Sequence, residues 1–335
     1  MRIAIFGTKD YDRQFLSGAN VVHGHELHFL EPRLDESTAP LAQGFPAVCI
    51  FVNDRADAAV LERLAAQGTR LVALRCAGYN NVDLRTAARL GVAVVRVPAY
   101  SPHAVAEFTI ALLLALDRKV HRAWARVREN NFSLDGLIGR NLHGRTAGVI
   151  GTGRIGALVA RTLQLGFGCQ VLASDVVEDP ELAAMGVSYV PPAELLERAE
   201  IVSLHCPLTP QTRHIIDADA IAKAREGLVI VNTSRGALID TRALIAGLKA
   251  RRIGGVALDV YEQEADLFFE DLSNEIIEDD DFQRLLTFPN VLVTGHQAFL
   301  TQEALEGIAE TTLANISDFE AGRPLANSID PALAR

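Results

Sequence analysis

The motif Gly151-Thr152-Gly153-Arg154-Ile155-Gly156 is the strongest indication of the fold in this chain. A strand-like run over residues 147–150 stands immediately before it, and a helical pattern over residues 157–163 follows. A lone G-x-G-x-x-G is weak evidence, but this strand–turn–helix context predicts a dinucleotide-binding βαβ unit. We expect Gly151 to allow the tight turn, Gly153 to admit a pyrophosphate, and Gly156 to let the helix pack on the strand.

An acidic residue follows the next predicted strand at the distance that a dinucleotide site requires. Asp175 lies 19 positions after Gly156 (175 − 156). A carboxylate at this point accepts hydrogen bonds from the adenosine ribose hydroxyls and repels the additional phosphate of NADP. The sequence therefore predicts that the cofactor is NAD, with its phosphates at the N-terminus of the helix.

Short β-branched runs alternate with helical patterns along the chain, which predicts βαβ units and parallel sheets. The predicted strands are residues 3–6, 47–51, 71–75, 93–96, 147–150, 170–174, 201–204, 228–232, 255–259 and 291–294. The predicted helices include residues 56–67, 154–165 and 242–250. Because the strands are almost continuously apolar, we expect helices on both faces of each sheet.

The position of the G-x-G-x-x-G motif predicts the order of the domains. About 150 residues precede it, which is enough for a separate α/β domain. The fold class is therefore expected to be α/β, with two doubly wound parallel-sheet domains. A Rossmann NAD-binding domain, residues 100–299, is expected to be inserted into a flavodoxin-like substrate domain formed by residues 1–99 and 300–335. The cleft between them is the expected active site.

A helix is expected at the crossing between the domains. Ser101 can cap it, and Pro102 suits its first turn. Residues 108–116 are apolar nearly all round. Such a helix is either a core helix or part of a subunit interface, and the second alternative predicts a homo-oligomer of at least two subunits.

The composition argues against several function classes. The formal net charge of −10 disfavours nonspecific binding to nucleic acid or to anionic membranes. The longest apolar run, residues 110–116, is too short to cross a bilayer, and the N-terminus lacks a signal-peptide pattern. Four widely spaced cysteines show no zinc motif, so we expect free thiols in a reducing cytoplasm. The acidic residues 262–281 lack calcium-loop spacing, so no metal is expected.

Three polar segments follow successive predicted strands of the second domain, at the edge of the sheet where ligands bind. Arg235, in NTSRG, offers a planar guanidinium that can bind a carboxylate and polarise a carbonyl. His296, in TGHQAFLT, can give a proton to a carbonyl oxygen, and Glu264, in LDVYEQE, can favour its charged form. Taken singly, each residue has an ordinary structural or surface role. Together they indicate hydride-transfer chemistry.

The segments GTGRIG, HCPLTP (residues 205–210), NTSRG, LDVYEQE and TGHQAFLT occur in this order. With them the chain resembles the D-isomer-specific 2-hydroxyacid dehydrogenase family over essentially its whole length. Residues 8–12, 75–83, 98–102, 264–271 and 295–301 are most similar to the fermentative D-lactate dehydrogenase branch of that family. The resemblance implies reversible reduction of pyruvate to D-lactate by NADH.

The resemblance also implies roles for individual residues. Arg235 would hold the substrate carboxylate, His296 would donate the proton, and Glu264 would keep His296 protonated and oriented. Cofactor contacts are implied for Gly151, Gly153, Arg154, Ile155, Gly156, Asp175, Cys206, Pro207, Thr233, Ser234, Arg235 and Asp259. Substrate contacts are implied for Cys76, Ala77, Gly78, Tyr100, Arg235, His296 and Phe299. Thr212 stands where many relatives carry Asn, so a cofactor contact there is left open.

Two other functions remain open on the sequence. The first is a dehydrogenase of the same reaction class for a bulkier D-2-hydroxy acid. The second is an NAD-sensing transcriptional corepressor on the same scaffold, although no additional interaction tail follows the last predicted helix. Reduction of pyruvate by NADH separates the second alternative from an enzyme.

Overall fold

The structure is a computed structural model that describes residues 1–330, and the chain divides into two compact units. Unit 1 is Met1–Ser101 together with the residues from Leu300 onward, and unit 2 is Pro102–Phe299. Positions 331–335 of the predicted substrate domain lie outside the described residues. The assignment of substrate binding to unit 1 stays a prediction.

The described residues form helices and strands that alternate along the chain. The strands are β1 (Arg2–Ile5), β2 (Glu26–Phe29), β3 (Ala47–Ile50), β4 (Leu71–Leu74), β5 (Ala93–Val95), β6 (Thr146–Ile150), β7 (Gln170–Ser174), β8 (Ser188–Tyr189), β9 (Ile201–Leu204), β10 (Leu228–Asn232), β11 (Ile253–Leu258) and β12 (Val291–Val293). The helices are α1 (Asp10–His23), α2 (Ala58–Ala66), α3 (Leu84–Arg89), α4 (Pro102–Asp117), α5 (Val120–Arg128), α6 (Arg154–Arg161), α7 (Pro180–Ala184), α8 (Pro192–Arg198), α9 (Ala218–Lys223), α10 (Thr241–Lys249), α11 (Asp280–Leu286) and α12 (Gln302–Glu320).

Unit 1 is built on a parallel sheet with strand order β2-β1-β3-β4-β5. This is the flavodoxin-like order. The residues of β3 and β4 are all buried, as expected for strands that are covered on both faces. Leu313 and Ile316 of α12 pack with Ile3 and Leu71 of the sheet, so the last helix completes the core of this unit.

Unit 2 contains a parallel sheet with strand order β12-β11-β10-β9-β6-β7-β8. Counted from β6, this is the doubly wound order 3-2-1-4-5-6 with one further strand, so the predicted Rossmann fold is confirmed. The carboxyl ends of neighbouring strands lie in register: Ile150 is paired with Leu204, Leu204 with Asn232, and Asn232 with Leu258. The loops that follow these strands therefore begin at one edge of the sheet.

Most predicted elements lie where the sequence placed them, and three strands match at both ends: residues 170–174, 201–204 and 228–232. Residues 154–165 are helical, as predicted, but the type of helix changes within this range. The helix α6 ends at Arg161, and Thr162–Gly166 continues as a wider π-helical turn. This turn keeps Leu163 in the core while the Gln164 amide donates to the Met185 carbonyl oxygen at 2.6 Å.

The helix α4 begins at Pro102, as the sequence predicts. Its residues Ala106, Leu112, Leu113 and Leu116 belong to the same buried cluster as the β6 side chains, so α4 is a core helix of unit 2. A subunit interface on its remaining surface stays a prediction. Within residues 1–330 no helix combines the length and the apolar character needed to span a membrane.

Candidate active site

The turn between β6 and α6 has the conformation that only glycine tolerates. Gly151 has a φ of +92°, and a Cβ added to it would lie 2.4 Å from the Cys206 nitrogen. A Cβ on Gly156 would lie 1.8 Å from the Gly151 carbonyl oxygen, so this glycine lets α6 pack against the turn. A Cβ on Gly153 would meet no heavy atom within 4 Å, which leaves open space beside the backbone.

The N-cap residue of α6 leaves the first N–H groups of this helix without a side-chain cap. Arg154 and Ile155 are the first residues of this helix, and Gly153 at the N-cap provides no side-chain hydrogen bond. The first N–H groups of a helix need a partner and attract anions. The open space at Gly153 and these N–H groups together fit the pyrophosphate of NAD.

Asp175 stands directly after β7 and is exposed. Its Oδ2 atom accepts hydrogen bonds from the Thr152 nitrogen at 2.5 Å and from the Thr152 hydroxyl at 3.2 Å. Its Oδ1 atom accepts from the Val176 nitrogen at 2.6 Å. The carboxylate is therefore held beside the glycine turn and remains accessible to a ribose, which again fits NAD.

A hydrogen bond joins the loop after β9 to the loop after β10. Ser234 Oγ donates to the Cys206 carbonyl oxygen at 2.9 Å. Thr212 donates its hydroxyl to the Pro207 carbonyl oxygen at 2.6 Å and so shapes the same loop. Burial raises the pKa of the Cys206 thiol to about 11, so it remains protonated at neutral pH. Thr233 is buried beside Ser234, and direct contacts of these residues with the cofactor stay predictions.

Arg235 is held by its own main chain at the end of β10. The Asn232 amide donates to the Arg235 carbonyl oxygen at 2.8 Å, and Arg235 Nη1 donates to the Ser234 carbonyl oxygen at 2.7 Å. The next residue, Gly236, fits tightly against the loop after β11, because an added Cβ would lie 2.0 Å from the Tyr261 carbonyl carbon. The loops that carry Arg235 and Glu264 are therefore in contact.

Glu264 and His296 form a direct pair. His296 Nδ1 lies 2.8 Å from Glu264 Oε1, and the two side chains are 17% and 22% exposed. The other oxygen of Glu264 accepts a hydrogen bond from the Tyr261 nitrogen at 2.8 Å, which fixes the carboxylate. The ring of Phe269 packs beside the imidazole, with 5.6 Å between the ring centroids. The pairing leaves Nε2 as the ring nitrogen that can face a substrate.

Asp259 holds the loop that carries His296. Its Oδ1 atom accepts from the Thr294 hydroxyl at 2.5 Å and from the Gln297 nitrogen at 2.9 Å, and its Oδ2 atom accepts from the Ala298 nitrogen at 2.8 Å. Burial raises the pKa of Asp259, although these three donors act in the opposite direction. His296 lies between Thr294 and the Gln297 and Ala298 nitrogens that Asp259 binds, and it adopts a left-handed φ of +54°. A contact of Asp259 with NAD stays a prediction.

In unit 1, the residues Cys76, Ala77 and Gly78 form a loop after β4, called here the 76–78 loop. The Cys76 carbonyl oxygen accepts from the Val97 nitrogen at 3.1 Å, and the Ala77 carbonyl oxygen accepts from Arg96 Nη1 at 2.9 Å. The N–H groups of Ala77 and Gly78 have no hydrogen-bond partner among residues 1–330. Successive free N–H groups form a concave site that suits an anion.

Tyr100 and Phe299 complete the predicted substrate residues. Tyr100 is half-buried in unit 1, where its carbonyl oxygen would lie 3.4 Å from a Cβ added to Gly307 of α12. Phe299 is buried at the end of unit 2. Contacts of both side chains with a substrate stay predictions.

Three residues that shape these sites were not singled out from the sequence: Phe269, Thr294 and Arg96. Phe269 lies in EADLFFED and Thr294 in TGHQAFLT, so the motifs contained them without indicating their roles. Arg96 directly follows β5, and only the adjacency of β4 and β5 brings its side chain to the 76–78 loop.

Comparison with known proteins adds to this geometry. The profile of the family described as "D-isomer specific 2-hydroxyacid dehydrogenase, NAD binding domain" matches residues 110–298. The chain is 55% identical over 319 residues to "2-hydroxyacid dehydrogenase homolog 1" of Schizosaccharomyces pombe, which covers 95% of this chain and 96% of that protein. It is 50% identical over 329 residues to D-lactate dehydrogenase of Escherichia coli, covering 98% and 100% of the two chains.

A solved structure described as "Identification of the pyruvate reductase of Chlamydomonas reinhardtii" superposes on this chain with a TM-score of 0.92. Its sequence is 46% identical, and the superposition covers 98% of each chain. The similarity to known proteins therefore extends through both units.

Proposed function

We propose that this chain, which belongs to the D-isomer-specific 2-hydroxyacid dehydrogenase family, is a D-lactate dehydrogenase that reduces pyruvate reversibly with NADH. As a member of that family it is an NAD-dependent oxidoreductase that acts on a small-molecule substrate. The observation that carries the proposal is the pair of Glu264 and His296, with Nδ1 and Oε1 2.8 Å apart and the ring of Phe269 beside the imidazole.

The proposed reaction transfers one hydride and one proton. NADH, when bound at the glycine turn, supplies the hydride for the carbonyl carbon of the keto acid. His296 gives the proton to the carbonyl oxygen from Nε2, since Nδ1 faces Glu264. The Glu264 carboxylate stabilises the charged imidazole before this transfer. In the reverse direction His296 takes the proton from the hydroxyl of D-lactate.

Arg235 and the 76–78 loop are proposed to hold the substrate. The guanidinium of Arg235 binds the keto acid and stabilises the negative charge that develops on the carbonyl oxygen. The N–H groups of Ala77 and Gly78 are suited to a carboxylate, because successive main-chain donors favour an anion. Tyr100 and Phe299 are proposed to limit the space around the substrate.

The size of the substrate is proposed from Phe269. Its ring lies 5.6 Å from the imidazole of His296 and occupies space beside the proton donor, which favours the methyl group of pyruvate over a longer side chain. The name of the Escherichia coli relative and the description of the Chlamydomonas structure agree with this substrate. The Schizosaccharomyces pombe relative carries only the general name, so a bulkier D-2-hydroxy acid remains the alternative.

A panel of 2-keto acids tests the substrate. We expect NADH oxidation to have a kcat/KM for pyruvate that is about 10-fold or more above that for branched-chain 2-keto acids, the scale of one or more methylene contacts. Phe269→Ala should narrow this ratio, whereas Phe288→Ala, which removes a ring stacked under Arg284 elsewhere in unit 2, should not. A preference of the unaltered enzyme for a branched substrate would overturn the pyruvate assignment. No turnover with any 2-keto acid would favour a regulatory protein.

The assembly and location are further proposals. Val120, Trp124 and Val127 of α5 are each more than half exposed, which supports a homodimer that covers them. Light scattering after size-exclusion chromatography should give twice the mass of the chain, and a monomer would contradict this.

The four cysteines are buried free thiols, which supports a reducing cytoplasm as the location.

A further inference from the structure

The side chain of Arg96 contacts the 76–78 loop and the residue after it, Tyr79. Its Nη1 atom donates to the Ala77 carbonyl oxygen at 2.9 Å. Its guanidinium also lies over the ring of Tyr79, with 5.1 Å between the central carbon and the ring centroid. One half-buried side chain therefore contacts both the 76–78 loop and the residue that follows it.

The base of Arg96 is itself fixed at both main-chain polar atoms. Its nitrogen donates to the Asn327 carbonyl oxygen at 3.1 Å, and its carbonyl oxygen accepts from Asn315 Nδ2 at 3.0 Å. Asn327 Nδ2 donates to Asn315 Oδ1 at 2.8 Å, which closes the ring of hydrogen bonds. Asn315 lies buried on α12. The main chain from which the Arg96 side chain extends is therefore fixed.

The direction of the loop N–H groups follows from the geometry of the peptide bond. The Ala77 carbonyl and the Gly78 N–H belong to the same planar unit, and residues 1–330 contain no cis peptide bond. In a trans peptide the C=O and N–H bonds point in opposite directions. Holding the Ala77 oxygen against Arg96 therefore points the Gly78 N–H away from Arg96.

The preceding peptide is held in the same way. Its carbonyl oxygen, on Cys76, accepts a hydrogen bond from the Val97 nitrogen at 3.1 Å. The N–H of Ala77 therefore points away from Val97. The N–H groups of Ala77 and Gly78, which have no partner among the described residues, are therefore oriented by the contacts of Val97 and Arg96 with the two carbonyl oxygens.

We propose that Arg96 is a positioning residue for the 2-keto acid: by holding the Ala77 carbonyl it orients the Gly78 N–H group that binds the substrate carboxylate. The inference rests on the proposed function, which makes the 76–78 loop a binding site for that carboxylate. Arg96 acts through the loop and takes no part in the transfer of hydride or proton.

The variants Arg96→Met and Arg96→Lys test the proposal. We expect Arg96→Met to raise the KM for pyruvate about 10-fold or more, the scale of one hydrogen bond to a charged group, with kcat and the KM for NADH within about twofold. The dissociation constant of oxamate, an unreactive analogue of pyruvate, should rise by the same factor in the presence of NADH. Arg96→Lys keeps the charge but lacks the planar guanidinium, so its KM for pyruvate should lie between those of the unaltered enzyme and Arg96→Met.

Arg70→Met is the matched control in the same unit. Arg70 Nη1 also donates to main-chain carbonyl oxygens, those of Ala65 and Thr69, but it directly precedes β4 at the opposite end of that strand. Its loss should leave the KM for pyruvate unchanged. Tyr79→Leu removes only the stacked ring and should raise this KM by a smaller factor than Arg96→Met.

The possible outcomes separate the inference from the proposed function. Unchanged KM and oxamate affinity in Arg96→Met, with an active unaltered enzyme, would overturn the positioning role. Full activity of Arg96→Lys would also overturn it, because charge alone would then account for the effect. If Arg96→Met does not fold, Arg96→Lys and Tyr79→Leu decide the question by the same KM. Failure of the unaltered enzyme to reduce any 2-keto acid would reject the proposed function first.

Discussion

His296 Nδ1 lies 2.8 Å from Glu264 Oε1, on two loops that follow neighbouring strands of the second sheet. The other oxygen of Glu264 is bound by the Tyr261 nitrogen, so the carboxylate cannot turn away without losing a hydrogen bond. Since Nδ1 of His296 is paired with Glu264, Nε2 is the ring nitrogen that can donate a proton to a substrate. This relationship leads to the first two predictions.

Replacement of His296 by alanine should lower kcat for keto acid reduction by about 100-fold or more, the scale of general acid catalysis. His214→Ala is the control, because His214 Nε2 also lies close to a carboxylate, 2.7 Å from Glu262 Oε1, but has no proposed part in the reaction. Steady-state kinetics of the two variants are compared. Near-normal turnover of His296→Ala would remove this residue from the mechanism.

Glu264→Gln should lower kcat for keto acid reduction by about 10-fold or more, because the neutral amide no longer stabilises the charged imidazole that donates the proton. Steady-state kinetics of this variant and of the unaltered enzyme measure the effect. An unchanged kcat would show that the pair of Glu264 and His296 has no part in the proton transfer.

Asp175→Ala should reduce the preference for NADH over NADPH by about 10-fold or more, because it removes one charge that repels the additional phosphate. The exposed neighbour Glu178 provides the control, and Glu178→Ala should leave the ratio unchanged. The kcat/KM values for both cofactors give the ratio. Equal use of NADH and NADPH by the unaltered enzyme would contradict the role of Asp175.

Arg75 is fully buried below the 76–78 loop and pairs with Asp12 of α1, with 3.0 Å between Nε and Oδ1. Arg75→Met leaves the Asp12 carboxylate buried without its partner and should lower the free energy of unfolding by about 3–5 kcal/mol. The double variant Arg75→Met/Asp12→Leu should recover most of that loss. Urea unfolding measures both, and an Arg75→Met variant as stable as the unaltered protein would disprove the coupling.

His205 couples stability to pH. Burial lowers its pKa from 6.5 to about 4, and Ser203 Oγ lies 2.7 Å from its Nε2. Between pH 6.5 and 4 the unfolded chain binds the proton more readily than the folded chain, so stability falls as the pH decreases. The contribution is about 3 kcal/mol, from about 1.4 kcal/mol per pKa unit. His205→Gln should therefore lose less stability between pH 7 and pH 4.5. An equal loss in urea unfolding would contradict this.

The fold was predictable from the sequence wherever a strand is buried on both faces. The strands β7, β9 and β10 are mostly apolar and almost entirely buried, and their predicted bounds match the structure. The edge strand β2, Glu-Leu-His-Phe, was missed because it is partly exposed and lacks an apolar run. The edge strand β8 has only two residues, which gives no period to detect.

The site was predictable to the level of which strand ends carry polar residues, because parallel strands place their carboxyl ends at one edge. The conformation of those residues was not. The left-handed φ of His296 depends on Asp259, which lies 37 positions earlier (296 − 259) and holds the Gln297 and Ala298 nitrogens. The hydrogen bond from Arg96 to the Ala77 carbonyl oxygen likewise depends on the pairing of β4 with β5, which local sequence does not encode.

The proposed function is tested most directly by an assay of NADH oxidation with pyruvate, followed by chiral analysis of the lactate formed. We expect rapid oxidation of NADH with D-lactate as the product, and oxidation of D-lactate but not L-lactate by NAD in the reverse direction. Formation of L-lactate, or no oxidation of NADH with pyruvate, would contradict it.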